Sequence, residues 1–264
     1  MKAIILDTAR LADGGRPTGT ARPMAYGPAC LGVVEGRRIL DLHLEDLTAA
    51  GLTRVVYAGG YGIESVRAQY PELTFCRNAE WQATGSLATL MNAEFHMDDG
   101  FLCADSDVIY SPQVVSRLVD CPQDVALLCD TSSAGSRPDR DGEPLSDEET
   151  LSVVNGQVVQ IGRPVGPESA RGTYAGLARF TREGARFLRD AYHRARAKYG
   201  GRPFRGASTF AKAHIVDLYQ EMIEEGMPMH LVEVDGGTLR VGAEEGLPKT
   251  GRFSDTQGFS RSRR

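Results

Sequence analysis

The chain has 264 residues, 41% apolar and 25% charged, with a formal charge of −5. That is enough chain to bury a sizeable core, and a near-average globular composition excludes collagen-like, coiled-coil and wholly disordered architectures. The mild acidity argues against nucleic-acid binding, and apolar runs such as Ala3–Leu6 and Val125–Cys129 are too short to span a bilayer.

In chain order, Lys2–Asp7 reads as a short apolar strand that runs at once into Asp7 and Arg10, without the pattern of a secretory signal. Residues 39–50 carry Leu40, Leu44 and Leu47 at helical spacing, with Gly51 as the stop signal. Strand-like residues 53–58 precede a helix over 62–69, closed by Tyr70-Pro71, and residues 73–77 form the next strand. A helix over 86–95, a buried strand over 101–103, a helix over 112–119 and a strand over 125–130 follow. Residues 131–149 are a polar excursion rich in Ser, Asp, Gly and Pro. Residues 151–154 and 157–161, joined by Asn155-Gly156, have the pattern of a β-hairpin. A strand over 173–180, helices over 183–197 and 210–225 flanking a Gly/Arg loop, and a strand over 230–234 complete the series. Strands alternating with helices of this length predict a single α/β domain over residues 1–248, with a twisted, mostly parallel sheet flanked by helices and a small β-hairpin excursion. Residues 249–264 are a basic tail expected to be flexible.

The five cysteines are odd in number and never spaced as CxxC, and four lie in or beside apolar runs. They read as buried thiols in a reducing compartment, so the expected location is cytoplasmic. The five histidines form no zinc-ligand spacing with them. Only four of the thirty cationic residues are lysine: Lys2, Lys198, Lys212 and Lys249.

Ligands of open α/β sheets bind beyond the carboxyl ends of the strands, which nominates four segments. Asp105-Ser106-Asp107 places two charges between the apolar stretches FLC and VIY. Such a pair suits either a divalent cation, Mg²⁺ above all, or a solvated turn before the helix at Pro112. Residues 6–22, rich in Gly and Thr and carrying Arg10, Arg16 and Arg22, read equally as an anion-cradling loop or an ordinary surface loop. Gly59-Gly60-Tyr61 offers close backbone approach or a plain strand-to-helix turn. Thr84-Gly85-Ser86 opens a helix whose N–H groups are either ligand donors or simply capped.

Taken in order, MKAIIL, GPACLGVVEGRRILDLHLEDLTAAGLTRVVYAGGY, FLCADSDVIYSP, PLSDEETLSVVNGQVVQIG and FAKAHIVDLYQEMIEEGMPMHLVEVDGG resemble the Rossmann-like nucleotidyltransferases of sugar phosphates, choline phosphate and phosphonates. The last two segments look most like the branch that makes cytidylylated phosphonates. The resemblance implies transfer of CMP from CTP, with Mg²⁺, to a small phosphonate of the 2-aminoethylphosphonate, hydroxyethylphosphonate or phosphonoformate type, releasing pyrophosphate. It also admits choline phosphate or a sugar phosphate as acceptor, or a catalytically lapsed nucleotide-binding relative. Its implied small-molecule partners leave no role for nucleic acid or membrane; a homodimer, if formed, would use the late helices or the tail.

Carried over by position, Gly14, Gly15 and Arg16 would wrap the triphosphate. Gly60, Tyr61, Thr84, Gly85 and Ser86 would surround base and ribose, and Asp105 and Asp107 would hold Mg²⁺. The chain departs from the family pattern where Ala29 follows Pro28 in place of lysine. It departs again where Thr238-Leu239-Arg240-Val241-Gly242 replaces a motif ending in a second metal aspartate. Arg16, Arg22 or Lys212 is expected to supply the missing cation, and Asp235, Asp217 or the charge of Arg240 to compensate at the metal.

Overall fold

The computed structural model describes residues 1–8, 27–34, 36–132, 149–162 and 170–241. The expected boundary at residues 248 and 249 lies outside them.

The elements run β1 (Lys2–Asp7), β2 (Val33–Val34), β3 (Arg37–Arg38), α1 (Ile39–Ala49), β4 (Val55–Gly59), α2 (Ile63–Gln69), β5 (Thr74–Arg77) and α3 (Ser86–Met91). They continue with β6 (Phe101–Asp105), β7 (Val108–Tyr110), α4 (Pro112–Val119), β8 (Val125–Asp130), β9 (Thr150–Val154), β10 (Gln157–Gly162) and β11 (Gly172–Phe180). The last are α5 (Arg182–Tyr199), α6 (Ile215–Glu224), β12 (His230–Val234) and β13 (Thr238–Arg240). No helix among the described residues is long and apolar enough to cross a membrane.

Nine strands form one sheet in the order β5-β4-β1-β6-β11-β8-β12-β10-β9. β1 lies between β4 and β6, parallel to both, and is buried on both faces, which is why it reads as an unbroken apolar run. Its alternate residues enter two cores. Ala3 and Ile5 pack with Leu40, Leu47 and Tyr57 on one face, and Ile4 and Leu6 with Leu87, Leu90 and Phe101 on the other. The α/β class holds, but the sheet is mixed rather than mostly parallel. β11 enters antiparallel between β6 and β8, and the β9–β10 hairpin completes the far edge of the same sheet instead of leaving it. The hairpin turns at Asn155 (φ 51°) and Gly156 (φ 76°), the left-handed geometry an Asn-Gly turn favours.

Two helix boundaries differ from the periodicity. α3 stops at Met91, followed by a separate 3₁₀ turn over Glu94–His96. The helix expected over 210–225 is a 3₁₀ turn, Phe210–Lys212, then extended Ala213 and His214, then α6. Neighbouring backbone explains the break: Gly85 N–H donates to Ala211 O at 2.8 Å and Leu87 N–H to Ala213 O at 3.2 Å. The Ser86 hydroxyl then accepts from Ile215 N–H at 3.0 Å, capping α6 from another element.

β7 and β13 form a short antiparallel arm, pairing Thr238 with Tyr110, Leu239 with Ile109 and Arg240 with Val108. A small third core of Val34, Ile39, Leu42, Ile109 and Val241 lies beneath it.

Candidate functional site

From β1 the chain passes to β4 and β5 on one side, then crosses back to place β6 on the other side of β1. This reversal opens a crevice at the carboxyl ends of β1 and β6, the position where open α/β sheets bind ligands. Asp7 ends β1, and Asp105-Ser106-Asp107 follows from β6, with Leu6 in register with Asp105.

Asp7 is 5% exposed. Its carboxylate accepts from the Tyr57 hydroxyl and, at 2.6 Å, from the Ser106 hydroxyl; the Cys30 thiol lies 3.2 Å from the Tyr57 oxygen. Burial pushes the Asp7 carboxyl up to about 6, the two hydrogen bonds opposing and the Asp107 charge adding to the rise. Burial also raises the Tyr57 phenol and the Cys30 thiol, so both stay protonated at neutral pH and neither is a nucleophile.

Asp105 and Asp107 share one guanidinium. Arg240 Nη1 donates to both carboxylate oxygens of Asp107 at 2.9 Å, and Nη2 donates to Asp105 Oδ2 at 3.1 Å. Burial pushes the Asp105 carboxyl up while Arg240 draws it down and Asp107 adds to the rise. Burial disfavours the Arg240 charge, yet the two aspartates hold it above the usual guanidinium range. The pair offers the hard oxygens Mg²⁺ prefers, but Arg240 faces three of their four oxygens. Among the described residues no group of three His, Cys, Asp or Glu is arranged to hold a metal. As folded, the pair does not fit a bare divalent ion.

His43, on α1, lies behind this arm at 2% exposure. Its Nε2–H donates to Val108 O, leaving Nδ1 without a partner among the described residues. Burial lowers its pKa to about 4, the Val108 carbonyl and the Asp107 charge opposing.

The other expected site residues divide three ways. Gly14, Gly15, Arg16 and Arg22 lie outside the described residues. Gly60 and Tyr61 follow β4 at the strand ends, but the room Gly60 leaves is filled: a Cβ there would lie 2.3 Å from Trp81 Cβ. The Tyr61 and Trp81 rings stand 5.4 Å apart. Around Thr84-Gly85-Ser86, the N–H groups of Gly85 and Leu87 and the Ser86 hydroxyl serve the turn before α6, as described above. The Thr84 hydroxyl donates to Glu80 O and accepts from Asn78. Of the two readings, ligand donors or capped ends, the second describes these groups, which bind the 210–215 segment and the 78–84 loop. The same packing sets Lys212 against Gly85, whose Cβ would meet Lys212 O at 2.5 Å. No hydrogen bond or ion pair joins the exposed Lys212 ammonium to Asp105 or Asp107.

Of the proposed compensations at the metal, Asp217 is a helix cap, accepting from His214 N–H at 2.8 Å, and Asp235 is exposed after β12. Arg240 alone reaches the pair. Tyr57 and Gly176 carry no signal in the sequence that points to the site, and Ser106 is marked there only by lying between two aspartates.

No protein-family model matches the chain. Over 164 residues it is 24% identical to the CTP:phosphoglutamine cytidylyltransferase of Campylobacter jejuni, a match spanning 58% of this chain and 65% of that protein. The inositol-1-phosphate CTP transferase of T. maritima superposes with a TM-score of 0.64 at 13% identity, covering 90% of this chain and 86% of that one. The CTP:phosphocholine cytidylyltransferase of Streptococcus pneumoniae superposes with a TM-score of 0.65 at 13% identity, covering 91% and 92%. The chain thus shares its fold with these nucleotide-transferring enzymes and is similar in sequence to one of them over 164 residues.

Proposed function

We propose that the chain is a cytidylyltransferase that moves CMP from CTP to a small phosphonate or phosphate monoester and releases pyrophosphate. The observation that carries this reading is the placement of Asp7 and Asp105-Ser106-Asp107 at the β1/β6 reversal of a nucleotidyltransferase fold. Likeness to cytidylyltransferases for phosphoglutamine, inositol 1-phosphate and phosphocholine supports CTP as donor and a small anionic acceptor.

The reaction is an in-line displacement. An acceptor oxygen forms a bond to the α-phosphorus while the bond to the bridging oxygen of the β-phosphate breaks. A phosphate or phosphonate oxygen is already largely ionised at neutral pH, so no general base is required and the chain's task is alignment and charge neutralisation. CTP enters as its Mg²⁺ complex, the ion belonging to the substrate. Arg16 and Arg22 carry the cationic role that Ala29 cannot, and Lys212 is the exposed ammonium offered from the 3₁₀ turn. By the resemblance, Gly14 and Gly15 are assigned to the triphosphate, and Gly60 and Tyr61 to the nucleoside, with Trp81 packed against Gly60.

The phosphonate reading rests on the resemblance of residues 144–162 and 210–237 to the phosphonate branch, and choline phosphate is the competing acceptor. Pyrophosphate release from CTP and Mg²⁺ is the test, with 2-aminoethylphosphonate, hydroxyethylphosphonate, phosphonoformate, choline phosphate, inositol 1-phosphate and glucose 1-phosphate as acceptors. Turnover with a phosphonate alone supports the narrower reading, and turnover with choline phosphate alone replaces it. CTP binding without turnover across the panel would make the chain a nucleotide-binding relative instead.

A further inference from the structure

Arg240 reaches the aspartate pair only because several long-range features agree. The β7–β13 arm sets Arg240 opposite Val108, and Val241 N–H donates to Asp107 O at 2.7 Å. The guanidinium then spans to Asp107 at 2.9 Å and to Asp105 at 3.1 Å. Gly176, at the register shift of β11, provides the room: φ is +70°, and a Cβ would lie 2.5 Å from Asp105 Oδ2 and 3.0 Å from Arg240 Nη2. The Tyr110 hydroxyl donates to Gly176 O at 2.8 Å and holds that backbone in place.

Two carboxylates this close, with side chains 21% and 14% exposed, repel each other unless a cation stands between them. Where a second metal carboxylate would add negative charge, this chain supplies a fixed positive one. We propose that Arg240 is the resident counter-cation of the Asp105–Asp107 pair, filling in the free chain the place a divalent ion would take. A doubly charged ion entering beside the guanidinium meets like charge, and it must also strip water from itself to reach oxygens already accepting N–H bonds. One consequence rests on the cytidylyltransferase reading: the divalent ion comes in with the triphosphate, whose oxygens offer the guanidinium alternative acceptors.

The test needs no nucleotide and no turnover, so its result stands apart from whether CTP is the substrate. Mn²⁺ is titrated into the full-length protein and free Mn²⁺ is read by electron paramagnetic resonance. Arg240→Met should gain a Mn²⁺ site at least about tenfold tighter than any in the unaltered chain. Arg240→Lys, which keeps the charge, should stay with the unaltered chain, and Arg240→Met combined with Asp107→Asn should lose the gained site. Equal Mn²⁺ affinity in the unaltered chain and Arg240→Met, or an equal gain in Arg240→Lys, overturns the proposal. If Arg240→Met does not fold, Arg240→Gln takes its place, and micromolar Mn²⁺ binding by the unaltered chain alone is enough to overturn it.

Discussion

The Tyr57 hydroxyl donates to Asp7 Oδ2 at 2.5 Å, joining the middle of β4 to the end of β1 beneath the crevice. Tyr57 is fully buried, so this bond and the one from Ser106 leave Asp7 wrapped by protein donors and facing little water. Burial, against which these two bonds work, pushes the carboxyl up to about 6 from its usual 3.8.

The sign of the resulting pH dependence follows. The folded chain holds this proton more tightly than the unfolded chain, so stability falls as pH rises from about 4 to about 6 and stays lower above that. The whole penalty is about 3 kcal/mol at neutral pH. Asp7→Asn removes it at the cost of a weaker acceptor. We expect a net gain of about 1–2 kcal/mol at pH 7.5, a rise in Tm of several degrees, and little change at pH 4. Thermal melts at the two pH values decide; an equal or lower Tm for the variant at pH 7.5 contradicts the burial argument.

His43 works in the opposite direction. Its folded pKa of about 4 lies below the usual 6.5, so the unfolded chain takes up the proton first. Stability attributable to this ring is intact above pH 6.5 and is lost as pH falls towards 4, by about 3 kcal/mol in all. The imidazole C–H resonances of His43, followed by NMR, should titrate near pH 4. A midpoint near 6.5 would mean the ring is not sealed against the arm.

Gly176→Ala should be costly because both the left-handed φ and the missing Cβ matter. The added methyl meets the Asp105 carboxylate at 2.5 Å. A loss of about 1–3 kcal/mol is expected from the backbone alone, plus whatever displacement of Asp105 and Arg240 adds. Urea denaturation measures it, and an unchanged midpoint would show that the β11 irregularity carries no such constraint.

Gly85→Ala tests the weld between the 84–87 turn and the segment before α6. Its Cβ would sit 2.2 Å from the Ala213 carbonyl oxygen, a backbone atom with nowhere to move. It should destabilise well beyond Ser86→Ala, which removes only the cap on Ile215 and should lose about 1 kcal/mol. Equal losses for the two variants would contradict the close approach.

If the chain is a cytidylyltransferase, Asp107→Asn should lower kcat by about 100-fold or more, because the Asp107 carboxylate would hold the Mg²⁺ that enters with CTP and so place its charge at the α-phosphorus. Arg16→Ala and Arg22→Ala should each fall by a comparable factor, and Lys212→Ala should fall too if its ammonium replaces the missing lysine. Pyrophosphate release under saturating CTP and acceptor is the measurement. Unchanged turnover in Asp107→Asn would move the reaction away from the β1/β6 crevice.

Much of the architecture could be read from local pattern alone. Val125–Asp130, and Lys2–Asp7 from Ala3 onward, are buried on both faces, so their apolar runs announce them, and Asn155-Gly156 dictates its own turn. The acidic residues at the strand ends were equally visible, since charge at the edge of an apolar run has few places to go. Local pattern could not show that β11 runs antiparallel into the sheet, that the helix breaks at Ala213 and His214, or that the Thr84–Ser86 donors face inward. Nor could it place Arg240 on Asp107, 133 residues away, in a space that exists only because Gly176 has no side chain. Helical and strand periods report which face of a segment is buried; which partner lies against that face depends on contacts between distant segments, and these form only in the assembled fold.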